Sequence, residues 1–209
     1  MSQEQHVFVN RQLDKLLPED TEPYETFSVE PTYTLIAQLP ENIRSQLHTL
    51  TIALSDTFSK HYYYAPVQYH TTLLSLGTSE DVATKLDCIR KAIRGVSIHV
   101  EVLGTAANKY GAGVTLYPPD DTVVKLRQKL REAFAITAGY TEHNVVWEQL
   151  LWVNILRFSS KPTNRFLEKL REYKDTQLGS YEIRSWDLYK TSSKVLAPES
   201  STWIETFRC

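Results

Sequence analysis

His70 and Thr72 stand one residue apart in the stretch His70-Thr71-Thr72-Leu73. On an extended strand alternate side chains share a face, so the two would project side by side. An imidazole can take or give a proton near neutral pH, and a hydroxyl beside it can donate to a phosphate oxygen. Two such units facing each other would form a symmetric acid–base site. A second segment about 80 residues later, Trp152-Val153-Asn154-Ile155, has the same alternation but offers an indole and a carboxamide. The indole N–H donates without exchanging protons near neutral pH, whereas the carboxamide can still bond a phosphate oxygen. One unit would then keep proton transfer, and the other binding alone.

Hydrophobic spacing gives the elements that must position these segments. Residues 1–30 are polar and interrupted by Pro18 and Pro23, and they read as an N-terminal extension with one helical candidate over 9–17. Residues 33–39 read as a strand, and Pro40 opens a helix with Ile43, Leu47, Leu50, Leu54 and Phe58 at helical spacing. Residues 67–76 form the strand that carries His70. Ser79, Glu80 and Asp81 start a helix that buries Val82, Leu86, Ile89 and Ile93 and stops at Gly95. Residues 96–103 alternate as a strand. The order then recurs. A strand over 114–117 is broken by Pro118 and Pro119, and a helix from Asp120 carries Val123, Leu126, Leu130 and Phe134 and ends at Gly139. The strand 150–158 holds Trp152, a helix from Pro162 buries Phe166, Leu170 and Tyr173 and ends at Gly179, and strands follow over 181–189 and 202–207.

The separation from Pro40 to His70 nearly equals that from Pro119 to Trp152. This layout indicates an internal duplication, about 33–104 and 113–190. The expected fold is α+β, a single bilobal domain over 31–209 with two antiparallel sheets, helices outside and a central cleft. His70 and Trp152 would occupy matching positions across that cleft.

The 209 residues suit one such domain. The 42% apolar content is that of an ordinary globular protein. No apolar run approaches the roughly 18 residues that span a membrane, and the polar N-terminus has no signal-peptide core. A cytoplasmic monomer with no membrane partner is expected. Cys88 and Cys209 suggest no disulfide framework. A net charge of −2 argues against gripping long duplex nucleic acid through its phosphates and favours a nucleotide or short RNA end. Lys125, Arg127, Lys129 and Arg131 spread around their helix and read as a solvated face. There is no Cys/His spacing for zinc, no Gly-x-Ser-x-Gly elbow and no dinucleotide fingerprint. The stretch from Gly104 to Gly113 lacks the Gly-Lys-Ser/Thr of a phosphate loop and reads as a hairpin loop.

His70-Thr71-Thr72-Leu73 with its tail Leu74-Ser75-Leu76-Gly77 resembles the repeated motif of the two-histidine phosphoesterases, the RNA 2′,3′-cyclic phosphodiesterases and 2′-5′ RNA ligase-like proteins. The second segment runs on to Leu156 and Arg157, and Arg157 lies where many members carry an arginine. Leu188-Tyr189-Lys190-Thr191-Ser192 and residues 203–207 are similar to the family's closing strands, so the likeness covers about 31–209. It implies that His70 acts in proton transfer and Thr72 at the phosphate, without metal or cofactor. Trp152 and Asn154 depart from the family pattern, which has a second His and a second hydroxyl there. The resemblance then implies a substrate-binding role for both, with acid–base work weakened by the missing imidazole. The competing expectation is a non-catalytic module that holds a nucleotide or RNA end in the same cleft.

Blander readings accompany each residue. His70 alone would read as a strand histidine bonded to backbone, and Thr72 as an ordinary β-branched strand residue. Trp152 is either an apolar plug between the lobes or a platform for a base. Asn154 is unusual within a strand, which favours a polar role. His143, in the loop before the second segment, either replaces the missing acid or lies on the surface. Tyr62-Tyr63-Tyr64 either lines a base pocket or packs.

Overall fold

The computed structural model describes residues 3–23, 28–78, 82, 85–135, 145–193 and 198–209. The helical candidate at the N-terminus is α1 (Gln3–Lys15), which buries Val9 and Leu13. Strand β1 (Ser28–Gln38) leads to α2 (Glu41–Ser55), which starts after Pro40, buries Ile43, Leu47, Leu50 and Leu54 of the expected stripe and ends short of Phe58. After β2 (Tyr62–Tyr63), a single 3-10 turn opened by Pro66 delays the next strand, so β3 (His70–Gly77) begins at His70 rather than at residue 67. Helix α3 (Leu86–Ile93) buries Ile89 and Ile93. The cap expected at Ser79, Glu80 and Asp81 lies outside the described residues.

Strands β4 (Ile98–Asn108) and β5 (Gly111–Tyr117) form a hairpin closed by Lys109 and Tyr110. Most of the stretch expected to be a loop between Gly104 and Gly113 is therefore paired strand. Helices α4 (Thr122–Phe134) and α5 (Val145–Gln149) precede β6 (Leu151–Arg157), and α6 (Asn164–Glu172) follows it. Thr163 caps α6 by accepting from the Phe166 N–H. The helix ends at Glu172, not at Gly179. Gly179 instead sits within β7 (Gln177–Ile183) at φ 111°, a backbone setting that glycine tolerates. The strand expected over 181–189 is two strands, β7 and β8 (Ser185–Ser193), and β9 (Ser201–Arg208) closes the chain.

The strands lie in the order β7-β4-β5-β6-β3-β1-β8-β9, all described pairings antiparallel, with β2 added against β6. The two antiparallel sheets expected from the sequence are the two halves of this sheet, and they meet at one residue pair, Thr71 with Val153. β7 and β8 are six strand spacings apart in that order, which is about 29 Å on a flat sheet. Yet only Arg184 separates them in the chain, and one residue bridges no more than ~7 Å. The halves must therefore fold toward each other about the β3–β6 seam. Every residue of β5 is buried, because both of its faces are covered. Among the described residues no helix is long and apolar enough to cross a membrane.

Candidate active site at the strand seam

The site grows from the alternation along β3 and β6. Thr71 and Leu73 are buried, as are Leu151, Val153 and Ile155, while His70, Thr72, Trp152 and Asn154 are half-buried. An antiparallel pair has a local two-fold axis between its partnered residues. The axis through Thr71 and Val153 relates His70 to Trp152 and Thr72 to Asn154. All four candidate side chains thus stand on one face of the seam. A cavity of about 640 Å³ opens over that face, with Thr72, Trp152, Asn154 and Arg157 among its lining residues. His70 does not line it but lies beside it, where the Arg157 guanidinium acts on its imidazole.

His70 Nδ1 lies 2.7 Å from the carbonyl oxygen of Gln68. That oxygen can only accept, so Nδ1 carries the proton and Nε2 keeps its lone pair. Burial holds the imidazole below its ordinary pKa, and Arg157 pushes the same way, against the carbonyl bond. His70 is therefore a neutral imidazole with a basic nitrogen in a fixed tautomer.

Across the seam, the Trp152 indole Nε1–H donates to Asn154 Oδ1 at 2.9 Å. An indole only donates, so this bond fixes which end of the carboxamide is oxygen. The Asn154 NH₂, with two donors, remains for whatever enters the cavity. Gly113 makes room for the indole, since a Cβ there would lie 2.6 Å from Trp152 Cε2. The indole also packs edge-on against Trp147, at 5.7 Å between ring centroids. Both tryptophans join a small second core of Val9, Leu103, Ala106, Tyr117 and Leu150. One edge of the ring thus packs, while the residue still lines the cavity.

The basic helix departs from its expected role. Lys125 is exposed and pairs with Asp121, but Arg127 is 9% exposed. Its guanidinium donates to the carbonyls of Leu73, Glu148 and Leu150 at 2.7–3.0 Å and to that of Trp147 at 3.2 Å. It ties β3 to the segment leading into β6. Arg131 pairs with Glu148 through two bonds of 2.6 and 2.8 Å. Both arginines line the cavity, so the solvated-face expectation fails for them. The signal was present in the spacing: Arg127 sits four residues after Val123 and three before Leu130, on the buried stripe.

The tyrosine run packs rather than lining the cavity. Tyr62 and Tyr63 pair with β6, and the Tyr64 hydroxyl accepts from Arg157 Nε at 3.3 Å. His143 lies outside the described residues. Among the described residues no group of three or more His, Cys, Asp or Glu is placed to hold a metal ion.

Neither a protein-family model nor a curated protein matches the sequence. Solved structures do share the fold. TT0787 of Thermus thermophilus superposes with a TM-score of 0.61 at 19% identity, covering 85% of this chain and 97% of its own. E. coli LigT in complex with ATP gives 0.59 at 18% identity, covering 86% and 98%, and LigT is also known with NADP+ and with 3′-AMP. Usb1 of Kluyveromyces marxianus gives 0.51 at 11% identity, covering 87% and 99%. The chain has the α+β fold of the two-histidine phosphoesterases.

Proposed function

We propose that the cleft binds a nucleotide or RNA end with a phosphate between Thr72 and Asn154. We further propose that it acts there as a slow, metal-free phosphodiesterase on a 2′,3′-cyclic phosphate or a 2′-5′ linkage. The observation that carries this reading is the arrangement about the Thr71–Val153 pair, with His70 Nε2 unprotonated beside Thr72 and an amide donor opposite. In the reaction His70 Nε2 takes the proton of the attacking water or hydroxyl. The Thr72 hydroxyl and the Asn154 NH₂ donate to the non-bridging oxygens, where charge builds in the transition state. Arg157 adds positive charge from the same side. Trp152 stands where a second imidazole would protonate the leaving oxygen, so that proton comes from solvent. A missing positioned acid lowers the rate by about 10²–10⁴-fold.

The test is hydrolysis of a nucleoside 2′,3′-cyclic phosphate in the presence of EDTA. The wild type is expected to turn over slowly and His70→Ala not at all. The acid limb of the pH profile is expected below the ordinary histidine range of about 6.5, because burial and Arg157 lower the His70 pKa. Turnover unaffected by His70→Ala would refute the chemistry. Trp152 at the slot of the second imidazole favours a second reading, a binding module without turnover. That reading is supported by nucleotide binding with no hydrolysis.

A further inference from the structure

We infer that the N-terminal helix supplies a nucleobase subsite to this cleft, with Gln12 reading the base edge. The inference rests on the phosphate position proposed above. Gln12 and Leu16 from the N-terminal segment line the cavity together with Ala107 and Asn108 at the end of β4. Strand β6 runs from Trp152 past Asn154 to Arg157, whose partner is Gly111 at the start of β5. The wall built by Gln12 and Asn108 therefore lies to the Arg157 side of the phosphate position, where a nucleoside attached to that phosphate would extend.

The wall is fixed in place. The Arg171 guanidinium donates to the carbonyls of Leu13 and Asp14 at the end of α1 and of Leu16 just beyond it, at 2.8–3.4 Å. Lys174 pairs with both oxygens of Asp14 at 2.9 Å. Beyond the helix, the Glu22 N–H donates to the Lys109 carbonyl at 2.7 Å, and the Lys109 ammonium pairs with the Glu22 carboxylate at 2.8 Å.

The chemistry of the wall suits a base more than a second phosphate. Lys109, its cation, is already engaged by Glu22. Asn108 Oδ1 accepts from the Tyr110 N–H at 2.8 Å, which leaves its NH₂ as the outward group. The Gln12 carboxamide makes no hydrogen bond within the described structure and has both a donor and an acceptor to offer. Leu16 and Ala107 add apolar surface. An acceptor next to a donor on a planar, apolar-faced ring is what adenine presents, and a carboxamide matches it through two hydrogen bonds.

The experiment compares binding of adenosine 2′,3′-cyclic monophosphate with binding of base-less ribose 5-phosphate by calorimetry. Gln12 is exposed, so Gln12→Ala leaves the core intact, and the adjacent exposed Arg11→Ala serves as control. Gln12→Ala is expected to weaken the adenosine nucleotide about 5- to 100-fold, to leave ribose 5-phosphate unchanged, and to melt as the wild type does. Arg11→Ala is expected to change neither. Equal affinity of Gln12→Ala and wild type for the adenosine nucleotide, or equal weakening of both ligands, overturns the inference. A wild type that binds neither probe overturns the proposed phosphate site and this subsite with it.

Discussion

Asn154→Asp separates the two hydrogen-bonding ends of the Asn154 side chain. The carboxamide oxygen accepts from the Trp152 indole at 2.9 Å, and an aspartate oxygen of the same reach accepts that bond equally well. The indole should therefore stay where it is. The other end changes from a two-donor NH₂ to an anionic oxygen. A hydrogen bond to a charged group contributes about 1.5–3 kcal/mol. Losing the one to phosphate should weaken binding about 10- to 150-fold at about 1.4 kcal/mol per tenfold. Repulsion between the new carboxylate and the phosphate, partly offset by Arg157, adds to this. Asn154→Ala removes both ends and leaves the half-buried indole N–H without its acceptor, a further cost of about 1–3 kcal/mol in stability. The aspartate variant should therefore lose nucleotide binding while keeping wild-type stability within about 1 kcal/mol, and the alanine variant should lose both. Calorimetric titration with 3′-AMP and urea denaturation at pH 7 measure the two quantities. An aspartate variant that binds as tightly as the wild type, or one as unstable as the alanine variant, would refute the reasoning.

Two further predictions concern buried polar groups. His61 is 5% exposed among Phe58, Phe158 and Phe166, with neither ring nitrogen hydrogen-bonded among the described residues, and burial lowers its pKa to about 4. The unfolded chain takes up the proton first, near 6.5, so stability present above pH 6.5 is lost as the pH falls toward 4. The full shift corresponds to ~3 kcal/mol, which solvent screening at the cluster edge reduces to about 1–2 kcal/mol. His61→Phe should lessen the loss of stability between pH 7 and 4.5 by that amount, and identical pH dependence in urea denaturation would contradict it. Arg127→Lys replaces a fork that reaches four carbonyls with a single ammonium. It should cost about 2–4 kcal/mol through unsatisfied buried acceptors, and denaturation within 0.5 kcal/mol of wild type, about the scatter of a neutral surface change, would count against that role.

The fold was legible where one face of an element is buried. The stripe Ile43, Leu47, Leu50 and Leu54 fixed α2, and the alternation around His70 and around Trp152 fixed β3 and β6. Legibility failed where a local signal met a tertiary one. Gly179 looked like a helix stop, yet it belongs to a strand, because pairing with β4 outweighs the usual weakness of glycine in a strand. The strand expected over 181–189 divides at Arg184 because its two parts pair with different neighbours, β4 and β1. The charge of Arg127 points to the surface, whereas its spacing places it on the buried stripe of α4. A guanidinium is buried when several carbonyls converge on it, and those carbonyls come from segments up to 54 residues away.

The sequence by itself determined which side chains share a strand face, since alternation is a property of covalent geometry, and it placed an imidazole beside a hydroxyl and an indole beside a carboxamide. Only the tertiary structure decided that these two pairs meet about one residue pair, Thr71 and Val153. It also laid an N-terminal helix along the cleft, whereas the bonds that set the His70 tautomer and the Asn154 carboxamide are made between residues two apart in the chain. The meeting of the two pairs and the placing of the helix depend on groups far apart in the chain that come together as the sheet bends to join β7 to β8, and no local pattern records that closure.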